Sequence, residues 1–271
     1  MDTTAESVGD LLREWRKRRR FSQLDLASEA ALSTRHLSFV ESGRASASRD
    51  MLLRLAEQLA MPLRIRNRLL LAGGFAPEHP ERALAAPDMT AAREAVEAVL
   101  AAHMPFPALA VDRHWNLVLA NAALTPLLAD VAAELLTPPV NVLRLSLHPR
   151  GLAPRIENLA EWRHHLLNRL ARQSDVTGDP VLAGLLAELS ALPFRASRTR
   201  PAAANAVAVP LNLKQDGGVC LSLLSTTTVF GSAMDVTLAE LTLECFYPAN
   251  AATRAALLTP FSFPDAVGDS S

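Results

Sequence analysis

The stretch FSQLDLASEAALSTRHLSFVESGR, residues 21–44, constrains the fold more than any other part of this chain. Ser22 stands three residues before Asp25, the reciprocal pairing of a capping box, and so predicts a helix start. Leu24, Ala27 and Ala30 or Ala31 supply that helix with an apolar stripe whose small members let a neighbouring helix cross closely. Ser33 then caps a further helix in which Leu37 and Val40 point inward while Thr34, Arg35 and Ser38 lie on the opposite face. Gly43 ends it, glycine being suited to the left-handed backbone beyond a helix terminus.

Two helices joined this tightly, the second offering short polar and guanidinium side chains near its start, have the form of a helix-turn-helix. An ordinary helical hairpin has the same turn, so charge must help to separate the two. The chain as a whole carries a net charge of −1, yet between Arg13 and Arg68 thirteen basic residues face six acidic ones. The run RKRRR at 16–20 closes a first helix built on Val8, Leu11, Leu12 and Trp15. A basic N-terminal third in a neutral protein points to a polyanion partner for that third alone. Cations at a helix C-terminus also favour the helix dipole, which is the plainer account of the same run.

At this point the chain resembles a known family. FSQLDLASEAALSTRHLSFVESGRASASRDMLLRLAEQLAMP is similar to the DNA-binding domain of XRE or Cro/repressor-type regulators, an all-α unit of five helices, and the resemblance extends from about Val8 to Phe75. It implies that Gln23 grips a phosphate and buttresses the recognition helix. It also implies that Thr34, Arg35, Ser38 and Phe39 face bases and that Arg44 and Arg49 contact the DNA backbone. Phe39 departs from the polar residue often found at that position. Arg16 and Glu41 match a structural ion pair between the first helix and the end of the third.

With 271 residues, the chain is long enough for two domains. Residues 73–90, holding Gly73, Gly74, Pro77, Pro80 and Pro87, read as a linker, and a helix is expected at about 90–103. PALAVDRHWNLVLANAALTPLL then reads as two short strands around a polar turn, running into a helix near Asn121. RIENLAEWRHHLLNRLARQ places Ile156, Leu159, Leu166 and Leu170 on one helical face with Trp162 beside it, and Asp179 begins another helix ending near Leu192. Three strand-like runs follow, NAVAVPLNL, VCLSLLSTTTVF and VTLAELTLECFYP, the first two separated by a KQDGG hairpin turn. The order predicts an α+β domain, a five-stranded antiparallel sheet backed by helices, in the manner of a PAS-like fold.

This half resembles the MmyB-like ligand-binding domain over about Phe106–Tyr247, through VDRHWNLVLANAA, NVLRLSLHP, PRIENLAEWRHHLLNRL and the closing strands. The resemblance implies a pocket between sheet and helices that takes a fatty-acid-like molecule. An acyl tail needs an apolar cavity with one polar or cationic end. Leu143, Leu145, Trp162, Leu166, Leu221, Leu223 and Phe230 are candidates for the walls, though each is also what a core requires. Arg144, Arg163 and His148 are candidates for the head group, whereas Arg155 and Arg169 are expected in water.

The sequence contains no GxSxG, P-loop, GxGxxG or HExxH, and His164–His165 lack the spacing of a zinc pair, so neither catalysis nor a cofactor or metal is expected. Cys220 and Cys245 read as reduced core thiols, which with the polar N-terminus and the lack of a long apolar run suggests a cytoplasmic protein with no membrane partner. The expected domains are residues 8–75 for DNA binding, 76–104 as linker and connecting helix, 105–258 for ligand binding and dimerisation, and 259–271 as a flexible tail. The expected function is a homodimeric transcription regulator on a palindromic DNA operator, responsive to a small apolar ligand. The alternative is a constitutive regulator whose second domain only dimerises or binds protein.

Overall fold

A computed structural model of the protein describes residues 6–193, 208–215 and 218–258. The chain divides into two compact units, one running to Met89 and taking in Phe230–Ala239, the other comprising Thr90–Val229 and the residues from Glu240 onward.

The first unit contains α1 (Val8–Arg18), α2 (Gln23–Glu29), α3 (Thr34–Glu41), α4 (Arg49–Gln58) and α5 (Leu63–Ala72). Ser7, Ser22, Ser33 and Ser48 begin the first four, each accepting a hydrogen bond from a main-chain N–H three residues on, and Ser22 and Asp25 complete the capping box. Left-handed residues follow these helices at Arg20, Ala31, Gly43 and Ala60, so the turns between helices are short. Leu11, Leu12, Trp15, Leu26, Leu37, Leu52, Leu55 and Leu69 fill the centre of the unit.

The apolar stripe of α2 differs from expectation. Leu24 is 66% exposed and Leu26 is buried in its stead, beside Ala27 and Ala30, which are buried as expected. Leu26 and Ala30 lie one turn apart with Ala27 between them, whereas Leu24 is rotated about 200° from Leu26 at roughly 100° per residue.

Phe230–Ala239 returns to this first unit from between two strands of the second. Asn67 holds the neighbouring strand of chain by accepting from the main-chain N–H groups of Glu78 and His79 at 3.0 Å and donating to the His79 carbonyl at 2.6 Å. Val236 N–H donates to the Pro80 carbonyl at 2.9 Å, and His79 Nδ1 lies 3.2 Å from the Met234 carbonyl. VTLA, expected in a strand, is therefore the short helix Val236–Ala239, its first turn capped by Asp235, which accepts from Thr237 N–H at 2.8 Å.

The second unit opens with α6 (Thr90–Ala102), β1 (Ala108–Val111) and β2 (Leu117–Ala120), then α7 (Val142–Leu147), α8 (Leu159–Thr177) and α9 (Pro180–Ala191). β3 (Leu211–Lys214), β4 (Cys220–Val229) and β5 (Thr242–Pro248) complete a five-stranded sheet in the order β2-β1-β5-β4-β3, with every adjacent pair antiparallel, and helix Ala251–Leu258 packs on β4 and β5. The chain after Asn121 forms a 3₁₀ segment, Ala122–Leu128, in place of an α-helix; Pro126 within it has no N–H to give an α-helical bond. In the β1–β2 turn the Asp112 carboxylate accepts from His114 N–H, Asn116 N–H and the Asn116 side chain at 2.8–2.9 Å. That turn holds Trp115 at φ 67° and sends its indole N–H to Gln173 on α8 at 2.8 Å.

The core of this unit lies between sheet and helices, where Leu109, Val111, Leu213, Leu221 and Leu223 meet Leu143, Ile156, Trp162, Leu166 and Leu170. Residues 205–207 of the first predicted strand run, Asp216 and Gly217 of the KQDGG turn, and the tail expected at 259–271 lie outside the described residues. No helix among the described residues is long and apolar enough to cross a membrane.

Candidate DNA-binding face and apolar cavity

α3 divides its residues by face. Leu37 and Val40 are fully buried, Arg35 is exposed, and Thr34, Ser38 and Phe39 are half-buried. The Arg35 guanidinium sits 5.3 Å from the centre of the Phe39 ring, so the aromatic ring supports the cation from its own helix. Arg44 is exposed just beyond α3, and its main-chain N–H donates to the Phe39 carbonyl at 2.8 Å. Arg49, at the start of α4, has its guanidinium 3.8 Å from Glu78.

Behind this face, Glu41 is buried and takes two partners. Arg16 donates to its two carboxylate oxygens at 2.6 and 2.9 Å, and Gln23 donates to one of them at 2.8 Å. Arg13 reaches the Glu41 main-chain carbonyl at 2.5 Å. Burial pushes the Glu41 carboxyl upward, but hydrogen bonds from Arg16 and Gln23 together with the charges of Arg16 and Arg13 outweigh it and hold the group below the usual carboxylate range. Gln23 thus ties the start of α2 to the end of α3, which fixes how the helix presents Thr34, Arg35 and Ser38 to solvent. Gly9 permits the close crossing of α1 behind that point: a Cβ there would fall 2.3 Å from the Glu41 carbonyl oxygen.

In the second unit a cavity of about 90 Å³ lies between the sheet and α7 and α8. Leu109, Trp115, Leu117, Leu143, Leu145, Trp162, Leu166, Leu213 and Leu223 are among its mostly apolar walls. This is below the ~300 Å³ at which sites for drug-sized ligands begin, so a long acyl chain requires these side chains to move apart. Trp162 donates its indole N–H to the Ser146 hydroxyl at 2.9 Å, leaving the Trp162 ring free to form wall.

The polar wall is formed by Arg169, Glu244 and Ser225. Arg169 donates to both oxygens of Glu244, at 2.5 and 3.2 Å, and to the Thr227 hydroxyl at 2.9 Å, while its guanidinium lies 4.6 Å from the Trp115 ring centre. Ser225 and Phe246 lie on the same face of β4 and β5 and complete that end. Arg169, expected in water, lies one turn beyond Leu166 and two beyond Trp162 on α8 and so stays on the cavity side.

The expected head-group residues are held away from the cavity lining. Arg144 forms a fork to Glu188 at 2.6 and 2.7 Å, both side chains more than two-fifths exposed. That hydrogen bond, and less strongly the paired charges, raise Arg144 and lower Glu188 from their ordinary values. Arg163 donates to the carbonyls of Leu189 and Ser190 at the end of α9, and His148 closes α7 and accepts from Arg150 N–H through Nδ1 at 3.1 Å. Of the expected wall residues, Leu221 packs in the core without lining the cavity, and Phe230 belongs to the first unit. Leu143, Trp162, Leu166 and Leu223 are brought together.

A capped helix-turn-helix with an exposed polar face, carried on one chain with an α+β unit that encloses an apolar space, defines a DNA-binding transcription regulator. Residues 92–259, more than half of the chain, match the family described as the MmyB-like transcription regulator ligand binding domain, and the chain belongs to that family. Residues 12–65 match the helix-turn-helix family. Comparison with curated proteins gave no match.

Proposed function

We propose that the protein is a homodimeric regulator that reads a palindromic DNA operator with α3 and changes its operator affinity when a small apolar, fatty-acid-like molecule enters the second unit. The observation that carries this reading is the cavity itself, apolar along the sheet and α8 and polar at one end, in a chain that also bears a DNA-binding unit. Two copies of α3 would stand about 34 Å apart, one turn of DNA, and the operator would repeat accordingly. Gln23, Arg44 and Arg49 would contact phosphates, while Thr34, Arg35, Ser38 and Phe39 would face bases. For the ligand to act as a switch it must bind one state of the dimer more tightly than the other, by ~10⁴ for near-complete conversion.

The test has two arms. Mass spectrometry of an organic extract from natively purified protein identifies a co-purifying apolar molecule. Fluorescence anisotropy on a duplex selected by the protein from random DNA then measures affinity with and without it. A saturable change in affinity supports the switch; an unchanged affinity in the presence of a bound molecule defeats it. The small size of the cavity favours one rival, a constitutive regulator whose second unit only dimerises. For that rival, no apolar molecule shifts the melting temperature in a saturable way.

A further inference from the structure

We propose that the second unit carries a further ligand site, a surface pocket for a small phosphate-bearing anion, which goes beyond the apolar-ligand reading and does not depend on it. A cavity of about 340 Å³ opens between the segment joining α7 to α8 and the end of β3, with Asp130, Pro149, Arg150, Arg155, Lys214 and Gln215 in its walls. Among the described residues that line it, three are cations and Asp130 is the one carboxylate. Leu213, which lines the apolar cavity, and Lys214 are neighbours on β3 and so point to opposite faces of the sheet, which keeps the two cavities apart.

Arg155 is the fixed member. Its guanidinium donates to the carbonyls of Lys214 and Leu127, both at 3.1 Å, and its side chain is 18% exposed. Those partners are neutral, so they hold the cation in place without cancelling its charge. The one acid beside it, Asp130, stands 3.5 Å away and is exposed enough to turn outward. The other terminal nitrogen of Arg155 has no partner among the described residues, which leaves its N–H groups to meet a ligand oxygen.

Arg150 and Lys214 form the rim. They pair with Glu134 at 2.5 Å and Glu157 at 3.5 Å, acids outside the lining, and all four side chains are exposed. Exposed pairs contribute little and exchange readily, so an entering anion takes both cations without stranding a buried charge.

Gln215 supplies the observation that charge alone does not. Its side-chain amide nitrogen is buried and has no hydrogen-bond partner among the described residues, a donor withdrawn from water in a wall that already carries cations. Main-chain groups add nothing here, because Pro149 has no N–H and those of Arg150 and Gly151 are spent on His148. Recognition therefore falls to a guanidinium, an ammonium and an amide from separate segments. A phosphoryl group, with nearly two charges and three terminal oxygens, can serve all of them at once, whereas a monocarboxylate has one charge and two oxygens.

The experiment is calorimetric titration of the full-length protein with inorganic pyrophosphate and with acetate, at pH 7.5 and constant ionic strength. Because the cations of the first unit also attract polyanions, the double variants Arg150→Gln, Lys214→Gln and Arg35→Ala, Arg44→Ala are titrated in parallel. Pyrophosphate is expected to saturate a site that weakens by about tenfold or more in the Arg150→Gln, Lys214→Gln variant and persists in the other. Gln215→Glu, which places a carboxylate where the amide stood, should weaken it by about tenfold as well. Binding lost in the Arg35→Ala, Arg44→Ala variant and kept in the Arg150→Gln, Lys214→Gln variant assigns the anion to the DNA-binding face and overturns the proposal. So does a lack of saturable binding by a protein that melts cooperatively. Acetate binding as tightly as pyrophosphate overturns the phosphate assignment.

Discussion

Arg16 and Glu41 meet through two parallel hydrogen bonds at 2.6 and 2.9 Å, joining α1 to the last residue of α3. The Arg16 side chain is 12% exposed and the Glu41 side chain 2%, so solvent does little to replace either partner. Arg16→Ala strands a buried carboxylate and is expected to destabilise the protein by about 3–5 kcal/mol, measured by urea denaturation. Arg16→Lys keeps the charge but not the fork, and should recover only part of that loss. A loss below about 1 kcal/mol for Arg16→Ala would make the pair energetically incidental.

The same pair sets an acid limit. Glu41 is held below its usual value of 4.5 in the folded protein, so the unfolded chain binds its proton first as the pH falls. The stability it contributes is complete above pH 4.5 and drains away as the pH drops from there through the lowered folded value. Melting temperatures of Glu41→Gln should accordingly fall less steeply below pH 4.5 than those of the unaltered protein, from a lower starting point. Parallel curves would show that other carboxylates govern the acid limb.

Gly9 tests the close crossing of α1 against the end of α3. An added Cβ would lie 2.3 Å from the main-chain oxygen of Glu41, which cannot swing aside as a side-chain tip would. Gly9→Ala should cost about 1–3 kcal/mol despite alanine's better helix propensity, as forced overpacking does. A stabilised variant in thermal denaturation would mean that α1 moves freely against α3.

On the DNA side, Arg35→Ala should cost about 1–3 kcal/mol on the preferred duplex and relax one base position. Arg49→Ala should weaken all sequences alike and reduce the salt slope by about one. Equal losses on preferred and random duplexes for Arg35→Ala would remove its base-reading assignment.

Ser146 and Trp162 form a neutral buried pair beside the cavity. Ser146→Ala leaves the indole N–H unsatisfied and is expected to cost about 1–3 kcal/mol. The double variant Ser146→Ala, Trp162→Phe removes both polar groups together, so it should lose clearly less than the two single losses combined. Additive losses in urea denaturation would show that the hydrogen bond contributes nothing of its own.

The helix-turn-helix was legible in the sequence because its determinants are local. Ser22 and Asp25, Ser33 and Gly43 each act within a few residues, and the structure uses all of them as caps or turns. The five-stranded sheet was legible too, as alternating short apolar runs. Leu24 and Leu26 show where local reading fails, since both are leucines on α2 and only the packing partner selects the one that is buried. The cavity's polar end lies further from view. Arg169 and Glu244 are separated by 75 positions, and nothing near either residue announces the other. Arg144 and Arg163 looked equally suitable, but Glu188 and the end of α9 engage them instead.

The return of Phe230–Ala239 to the first unit makes the DNA-binding unit discontinuous in sequence. A fragment cut after Met89 omits Val236 and Met234, and with them the main-chain partners of Pro80 and His79. The boundary of the helical unit is therefore not a single point where a protease or an engineer can divide the chain. The ten-residue strap starts after Val229 and ends before Glu240, and its hydrogen bonds go to His79 and Pro80 in the segment that follows α5. In a swap between relatives, the inherited half would have to bring this strap with it, or the recipient would be exchanging a unit and a fraction.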